Sequence, residues 1–288
     1  MTQRDLGWQS KVVLLLVLPF VGADVVLECR FWLVQEPRVA AWTLALSTLL
    51  GLVTWTVRAA TPSAAATGAA ITAALMFSTA PEPFDPWHTA VVPVLAVSLL
   101  AFTATRTGRA RKVQLGTAEK RRGRSAAQVA ANLGVAALAG GEAAKLWLLG
   151  THWITHGLAP LFAASLAALA EAAADTVSSE IGQVFGGRPR MITSLTSVDP
   201  GRDGAVSVVG TGVGICAGAL VAALGTMALR GDARFFWLSS AGAVFGLFFD
   251  SLLGAALEER GWINNDAVNF LSTASAAAVT LALMVVAP

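Results

Sequence analysis

The stretch ALAEAAADTVSSEIGQVFGGRPR, residues 168–190, sets Glu171, Asp175 and Glu180 in or at the edge of an apolar run and follows them with paired glycines and two arginines. A further acid, Asp250, lies within GLFFDSLLGA, about two helical turns before another apolar segment ends. An ionised carboxylate in such surroundings is costly unless it meets a cation or hydrogen-bond donors. Ser178 and Ser179 share a helical face with Asp175. Acids of this kind on separate segments mark a candidate site.

Three more polar clusters accompany them. TRTGRARKVQLGTAEKRRGRSAAQVAANLG, from residue 105, is the longest polar stretch and interleaves Gly108, Gly116 and Gly123 with basic residues. It ends on Gln128 and Asn132, one helical turn apart. The loop GGRPRMITSLTSVDPGRDGAVSVVGTG covers residues 186–212, and Asn264, Asn265, Asp266 and Asn269 open the last apolar segment. A sodium or proton site needs the acids but not the basic loop, whereas a phosphorylated ligand with magnesium needs both. The hard cation takes carboxylate and phosphate oxygens. Lys and Arg neutralise the remaining phosphate charge, and glycines admit backbone N–H groups to it. Phosphoryl transfer asks for positioning and charge stabilisation above all. No GxxxxGK[ST] occurs, which excludes a P-loop kinase on its main signature. His88, His152 and His156 lack ligand spacing, and Cys29 and Cys216 suggest neither a disulfide framework nor a zinc site.

The elements that position these residues are membrane spans. The chain has 288 residues, 55% hydrophobic and 13% charged, with a mean hydropathy of +0.65; soluble domains carry about a quarter charged residues. An all-α helical bundle forming one integral membrane domain, 1–288, is expected, with apolar N-terminal helices over 1–105 and a motif-bearing part over 106–288. Apolar runs at 12–28, 39–57, 62–78, 87–104, 127–148, 156–179, 206–229, 236–257 and 266–286 give nine spans. The first is read as a span rather than a cleaved leader. With a cytoplasmic N-terminus, fifteen basic residues fall inside and four outside, leaving Lys145 within a span; the positive-inside rule then gives N-in, C-out. All four polar clusters come to the cytoplasmic side. Gly210, Gly214 and Gly218 recur on one face and imply close helix packing. Asp24 is read as a helix-end residue.

In order, RKVQLGTAEKRRGRSAAQVAANLG, ADTVSSEIG, RPRMIT, GRDGAVSVVGTG, DSLLGA and NDAVNFLST resemble the family of integral membrane proteins that holds the phytyl-phosphate kinases and transmembrane protein nineteen. The resemblance implies a kinase that converts an isoprenyl monophosphate to the diphosphate with a nucleoside triphosphate, CTP or GTP before ATP, and Mg2+. A more distant similarity to phytol and dolichol kinases and CTP-using lipid cytidylyltransferases rests on Asp175, Gly186-Gly187 and the Gly204, Ser207, Gly210 run. On this reading Asp175, Glu180 and Asp250 are the catalytic metal ligands, and the helix unwinds near 179–182 so that Asp175 and Glu180 share one ion. Lys112, Lys120, Arg121, Arg124 and Arg190 hold phosphates, with Gln128, Asn132, Gly204, Ser207, Asn265 and Asn269 in the nucleotide site. Glu171 falls outside the pattern. The prenyl tail needs no pocket of its own, since the bilayer or a groove between Ala/Gly-rich helices takes it. Beyond the isoprenyl monophosphate, the nucleotide and the bilayer, no nucleic-acid partner is expected. A CTP-dependent lipid-phosphate cytidylyltransferase uses similar acids. A secondary transporter of an anionic substrate requires midplane sites and an internal repeat instead.

Overall fold

Backbone polar groups that leave water must be paired within the chain, so the apolar runs fold as helices. The computed structural model describes residues 7–118, 123–150 and 157–286. First come α1 (Gly7–Gln35), α2 (Pro37–Thr56), α3 (Pro62–Ser78), a 3-10 turn at Pro86–His88 and α4 (Val91–Arg106). α5 (Arg109–Leu115), α6 (Ala126–Gly140), α7 (Glu142–Leu149) and α8 (Ala159–Phe185) follow. A two-stranded antiparallel ribbon, β1 (Arg190–Met191) with β2 (Ala205–Val206), precedes α9 (Val208–Ala228). α10 (Ala233–Leu253) runs into a π turn at Gly254–Glu258, and α11 (Asn265–Val286) closes the order.

Among the described residues six helices are long and apolar enough to cross a membrane: α1, α2, α8, α9, α10 with its π turn, and α11. Counting α4 and α5, bent by 66° at their junction, as one broken span gives seven. The fold is thus an all-α polytopic membrane bundle. Of the nine spans expected from the sequence, two are only short apolar helices. Residues 62–78 form the 17-residue α3. Residues 127–148 break at the extended Gly141 into α6 and α7. At 15 residues α6 is about 23 Å long, less than a bilayer core of about 30 Å.

α8 is the axis. It packs against α4, α6, α9, α10 and α11 and is buried along most of its length, while α1 and α2 turn Leu15, Val34 and Leu49 outward. One end of the bundle gathers the polar segments, joined by end-to-end bonds. Gln9 Nε2 donates to Trp262 O (3.0 Å), Asn264 N donates to Gln9 Oε1 (2.7 Å), and Ser10 Oγ donates to Asp266 Oδ2 (2.6 Å). Thr61 N donates to Arg124 O and Arg124 N to Ala59 O. Arg106 Nη2 reaches Val57 O at 2.6 Å. This basic end therefore holds the starts of α1, α3, α6, α9 and α11 and the ends of α2, α4, α8 and α10. Away from it, Lys145 Nζ bridges Glu142 (2.7 Å) and Glu28 (3.6 Å), which explains how an ammonium is tolerated inside an apolar stretch.

The small-residue stripe is the α8–α9 seam. A Cβ added at Gly214 would stand 2.6 Å from Ala174 O and 2.7 Å from Ser178 Cβ, and one at Gly218 3.1 Å from Ala170 O. Gly214→Ala is expected to cost about 1–3 kcal/mol through this overlap. Thermal unfolding in detergent checks it, with Gly212→Ala, which meets no atom within 4 Å, holding or raising the midpoint.

Candidate active site

Three helices carry acids and their neighbours to one place near the basic end. Glu171 and Asp175 stand one turn apart on α8, Gly246 and Asp250 one turn apart on α10, and Asn265, Asn269 and Ser272 follow one face of α11. The carboxyl groups of Asp175 and Asp250 are within hydrogen-bonding reach of each other, and Ser272 faces both Glu171 and Asp250. Glu171 is 1% exposed. Its side chain lies over Gly246, where a Cβ would fall 2.5 Å from Glu171 Cγ. Two oxygens, Glu171 Oε1 and Asp250 Oδ2, are buried without a hydrogen-bond partner. Carboxylates so crowded call for positive charge among them.

Arg124 supplies part of it. The guanidinium lies within electrostatic reach of Asp175, and Nη2 meets Thr176 Oγ1 at 3.4 Å. Its backbone is clamped to the α2–α3 turn, and Gly123 (φ +78°) allows this, since a Cβ there would stand 2.6 Å from Ala60 N. Gly108 plays the same part at the α4–α5 bend, pressed on Val184 of α8. These two glycines of the basic loop thus serve close backbone packing.

Among the described residues no three of His, Cys, Asp and Glu converge as a metal cage. Magnesium does not need one, since one or two carboxylates with phosphate oxygens and waters suffice. Asp175 with the orphaned oxygen of Asp250 fits that requirement.

Glu180 and Lys112, expected on metal and phosphate, are instead each other's partner. Lys112 Nζ meets Glu180 Oε2 at 2.6 Å and donates to Ala104 O (2.7 Å) and Thr105 O (3.2 Å). Its three protons are spoken for, and the side chain is 1% exposed. α8 does not unwind near 179–182 but stays helical to Phe185. Five residues along a regular helix turn Glu180 about 140° from Asp175. Gln128 completes a capping box with Ser125, while Asn132 Nδ2 donates to Gln128 O at 2.8 Å. Ser207 caps α9 by accepting from Gly210 N at 3.0 Å. Gly204 (φ +75°) seats the loop on Ala255 of the π turn. Arg190 is exposed on β1, where Nη1 donates to Leu195 O at 3.3 Å. Asn265 Nδ2 donates to Asn269 Oδ1 at 3.4 Å. Lys120 and Arg121 lie outside the described residues.

Glu258 joins the acids, within electrostatic reach of Asp175 and Asp203. Beside it Arg202 pairs with Glu259. Burial of the Asp203 carboxyl, and secondarily the Glu259 charge, push its pKa above the usual carboxylate range.

A cavity of about 640 Å3 opens between α2, α3, α4 and α6, with Ala172 of α8 in its wall. Arg58, Arg106, Arg109 and Arg124 line its outer part. Its body is mostly apolar, with Thr54, Thr72, Ser98, Thr105 and Asn132 among the lining residues. Of the rim arginines only Arg124 was legible as a candidate site residue; Arg58, Arg106 and Arg109, with Glu171 and Ser272, were not. The signal for Glu171 was its one-turn spacing from Asp175, and for Ser272 its place on the Asn265–Asn269 face.

Residues 45–277 match the family described as Integral membrane protein DUF92. The chain is 35% identical over 130 residues to an uncharacterized membrane protein of Methanocaldococcus jannaschii, covering 45% of this chain and 51% of the relative. An uncharacterized membrane protein of Synechocystis is 31% identical over 195 residues, 66% of this chain and 72% of the relative. Protein VTE6, chloroplastic, of Arabidopsis thaliana is 28% identical over 195 residues, 62% and 54% respectively. The matches thus span about half the length of the archaeal and plant relatives. No solved structure matches the chain. The family match runs from within α2 to within α11 and takes in the acid cluster and the four arginines of the cavity rim: the chain belongs to the integral membrane family DUF92.

Proposed function

We propose that this protein phosphorylates an isoprenyl monophosphate to the diphosphate, using a nucleoside triphosphate and magnesium, at a basic end that faces the cytoplasm. The observation that carries the reading is Arg124, which lines the cavity and also lies beside Asp175. A single cation there links the basic mouth of the cavity to Asp175, one of the two acids proposed for magnesium. The ordered motifs that resemble the phytyl-phosphate kinase family fall inside the matched residues and support the same reaction. The excess of basic residues at this end supports an N-in, C-out arrangement.

Asp175 and Asp250 would hold the magnesium, which when bound would supply charge neutralisation to the triphosphate. Arg124 grips the acceptor phosphate through paired N–H groups, with Arg58 and Arg106 adding charge at the rim. An acceptor oxygen bonds to the γ-phosphorus as the bond from that phosphorus to the β–γ bridging oxygen breaks, and the nucleoside diphosphate departs. Since a phosphate monoester is largely ionised at pH 7, with a second pKa of about 6, no general base is required. Asn265 and Asn269 would contact the nucleotide, and Arg190, Lys120 and Arg121 are proposed as partners for its phosphates. Lys112 and Glu180 serve by fixing α5 against α8.

The test uses purified protein in lipid–detergent with geranylgeranyl monophosphate, magnesium, and CTP, GTP or ATP labelled in turn at the γ position. Label is expected in the lipid diphosphate, lost with EDTA and lowered about 10²-fold or more in Arg124→Gln. With α-labelled CTP run in parallel, retention of that label with the lipid and none from the γ position would assign a cytidylyltransferase. Label in neither would overturn the enzymatic reading.

A further inference from the structure

We infer that the cavity between α2, α3, α4 and α6 measures the chain of the acceptor, and that Gly68 decides how much chain it takes. The inference rests on the proposed acceptor class and says where its chain goes. At about 640 Å3 the cavity is in the range of about 300–1,000 Å3 typical of small-molecule sites. Its polarity is divided along its length. Val94 lies twelve residues before Arg106 on α4, so wall and rim are about 18 Å apart. That is a little more than one leaflet of a bilayer core of about 30 Å. Arginines hold the rim, while Leu50, Val94 and Leu133 line the depth. The hydroxyl of Thr72, also deep, is satisfied on Gly68 O at 2.7 Å, so that wall asks for no polar partner. Charge at one end and apolar wall at the other fit one chain with an anionic head.

Gly68 sits midway down α3 and lines this space. A Cβ built there meets only Val129 Cγ1, at the ordinary contact distance of 3.7 Å. Gly51, which also lines the cavity but packs on α3, differs: a Cβ there would stand 3.0 Å from Ala65 O. Glycine inside a helix is about 1 kcal/mol worse than alanine. At Gly68 the missing side chain relieves no backbone clash and leaves open volume halfway along the chain's path. A larger residue would fill that volume and leave room for a short chain only.

The experiment measures binding of geranyl monophosphate, geranylgeranyl monophosphate, geranylgeraniol and inorganic phosphate to the protein in phosphatidylcholine nanodiscs. Wild type is expected to bind the longer monophosphate most tightly, with the alcohol and inorganic phosphate about tenfold or more weaker. Gly68→Leu should weaken geranylgeranyl monophosphate about tenfold or more yet keep geranyl monophosphate within about twofold. Gly68→Ala should fall between. An unchanged chain preference in both variants would overturn the inference, as would equal binding of alcohol and monophosphate. Wild-type binding without phosphoryl transfer would remove the kinase reading and leave the cavity assignment. Transfer with unaltered chain preference in Gly68→Leu would do the reverse.

Discussion

Asp175→Asn is expected to lower kcat for γ-phosphoryl transfer by about 10³-fold or more while leaving the fold intact. The asymmetry follows from the surroundings of this carboxyl. It stands against Asp250, within electrostatic reach of Glu171 and Glu180 as well. Exchanging a carboxylate for an amide relieves like-charge crowding, so stability should hold or rise. Transition-state charge on the phosphates, in contrast, loses the metal that only a carboxylate retains. Asp250→Asn should behave alike, because its Oδ2 has no protein partner to lose. Glu171→Gln should cost no more than about tenfold, since Glu171 lies one turn deeper and outside the proposed ligand pair. Parallel measurement of kcat and unfolding midpoint separates these cases. A midpoint that drops together with activity in Asp175→Asn would make the pair a structural element instead.

Lys112→Met is expected to give the largest stability loss of any single change at the basic end, about 3–5 kcal/mol. The ammonium is 1% exposed and serves Glu180, Ala104 O and Thr105 O together. Removing it strands a carboxylate and two helix-end carbonyls near α8. Lys112→Met with Glu180→Met should recover much of that loss, because the uncompensated charge then disappears. A lysine that held substrate phosphate would behave otherwise: the midpoint would stay and KM would rise. Thermal unfolding of both variants, with KM for the triphosphate, distinguishes the two.

Residues whose partners sit on their own helix or on an adjoining one were readable from sequence. Gly210, Gly214 and Gly218 implied a close seam, and the seam is there against Ala170, Ala174 and Ser178. Asp175 and Asp250 were legible because apolar flanks make a lone carboxylate conspicuous. Lys112 was not, since in a run of basic residues nothing distinguishes the one that turns inward. Only the 66° bend between α4 and α5, made at Gly108, aims it at Glu180. Glu171 needed Gly246 and Ser272, contributed by two later helices, to acquire a meaning. The cavity was hidden for a related reason: its walls are ordinary Ala, Val and Gly from four helices, and a void has no sequence motif. The span count suffered where Gly141 interrupts an apolar run that a hydropathy window reads straight through.

The hydrogen bonds between the head of α1 and the head of α11 join residues 253 to 256 positions apart. During synthesis α1 enters the bilayer early and must wait for α11 before Gln9 and Ser10 find their partners. α8 waits as well, because Ser272, which faces Glu171, arrives with α11. Until then Glu171 and Asp175 stand in an open trough among half-assembled helices. Contacts this distant in sequence form late, after the entropy of closing so long a loop has been met. Insertion intermediates lacking α11 should therefore be the species recognised by membrane quality control, and a bulky fusion against Gln9 should trap the chain at that stage.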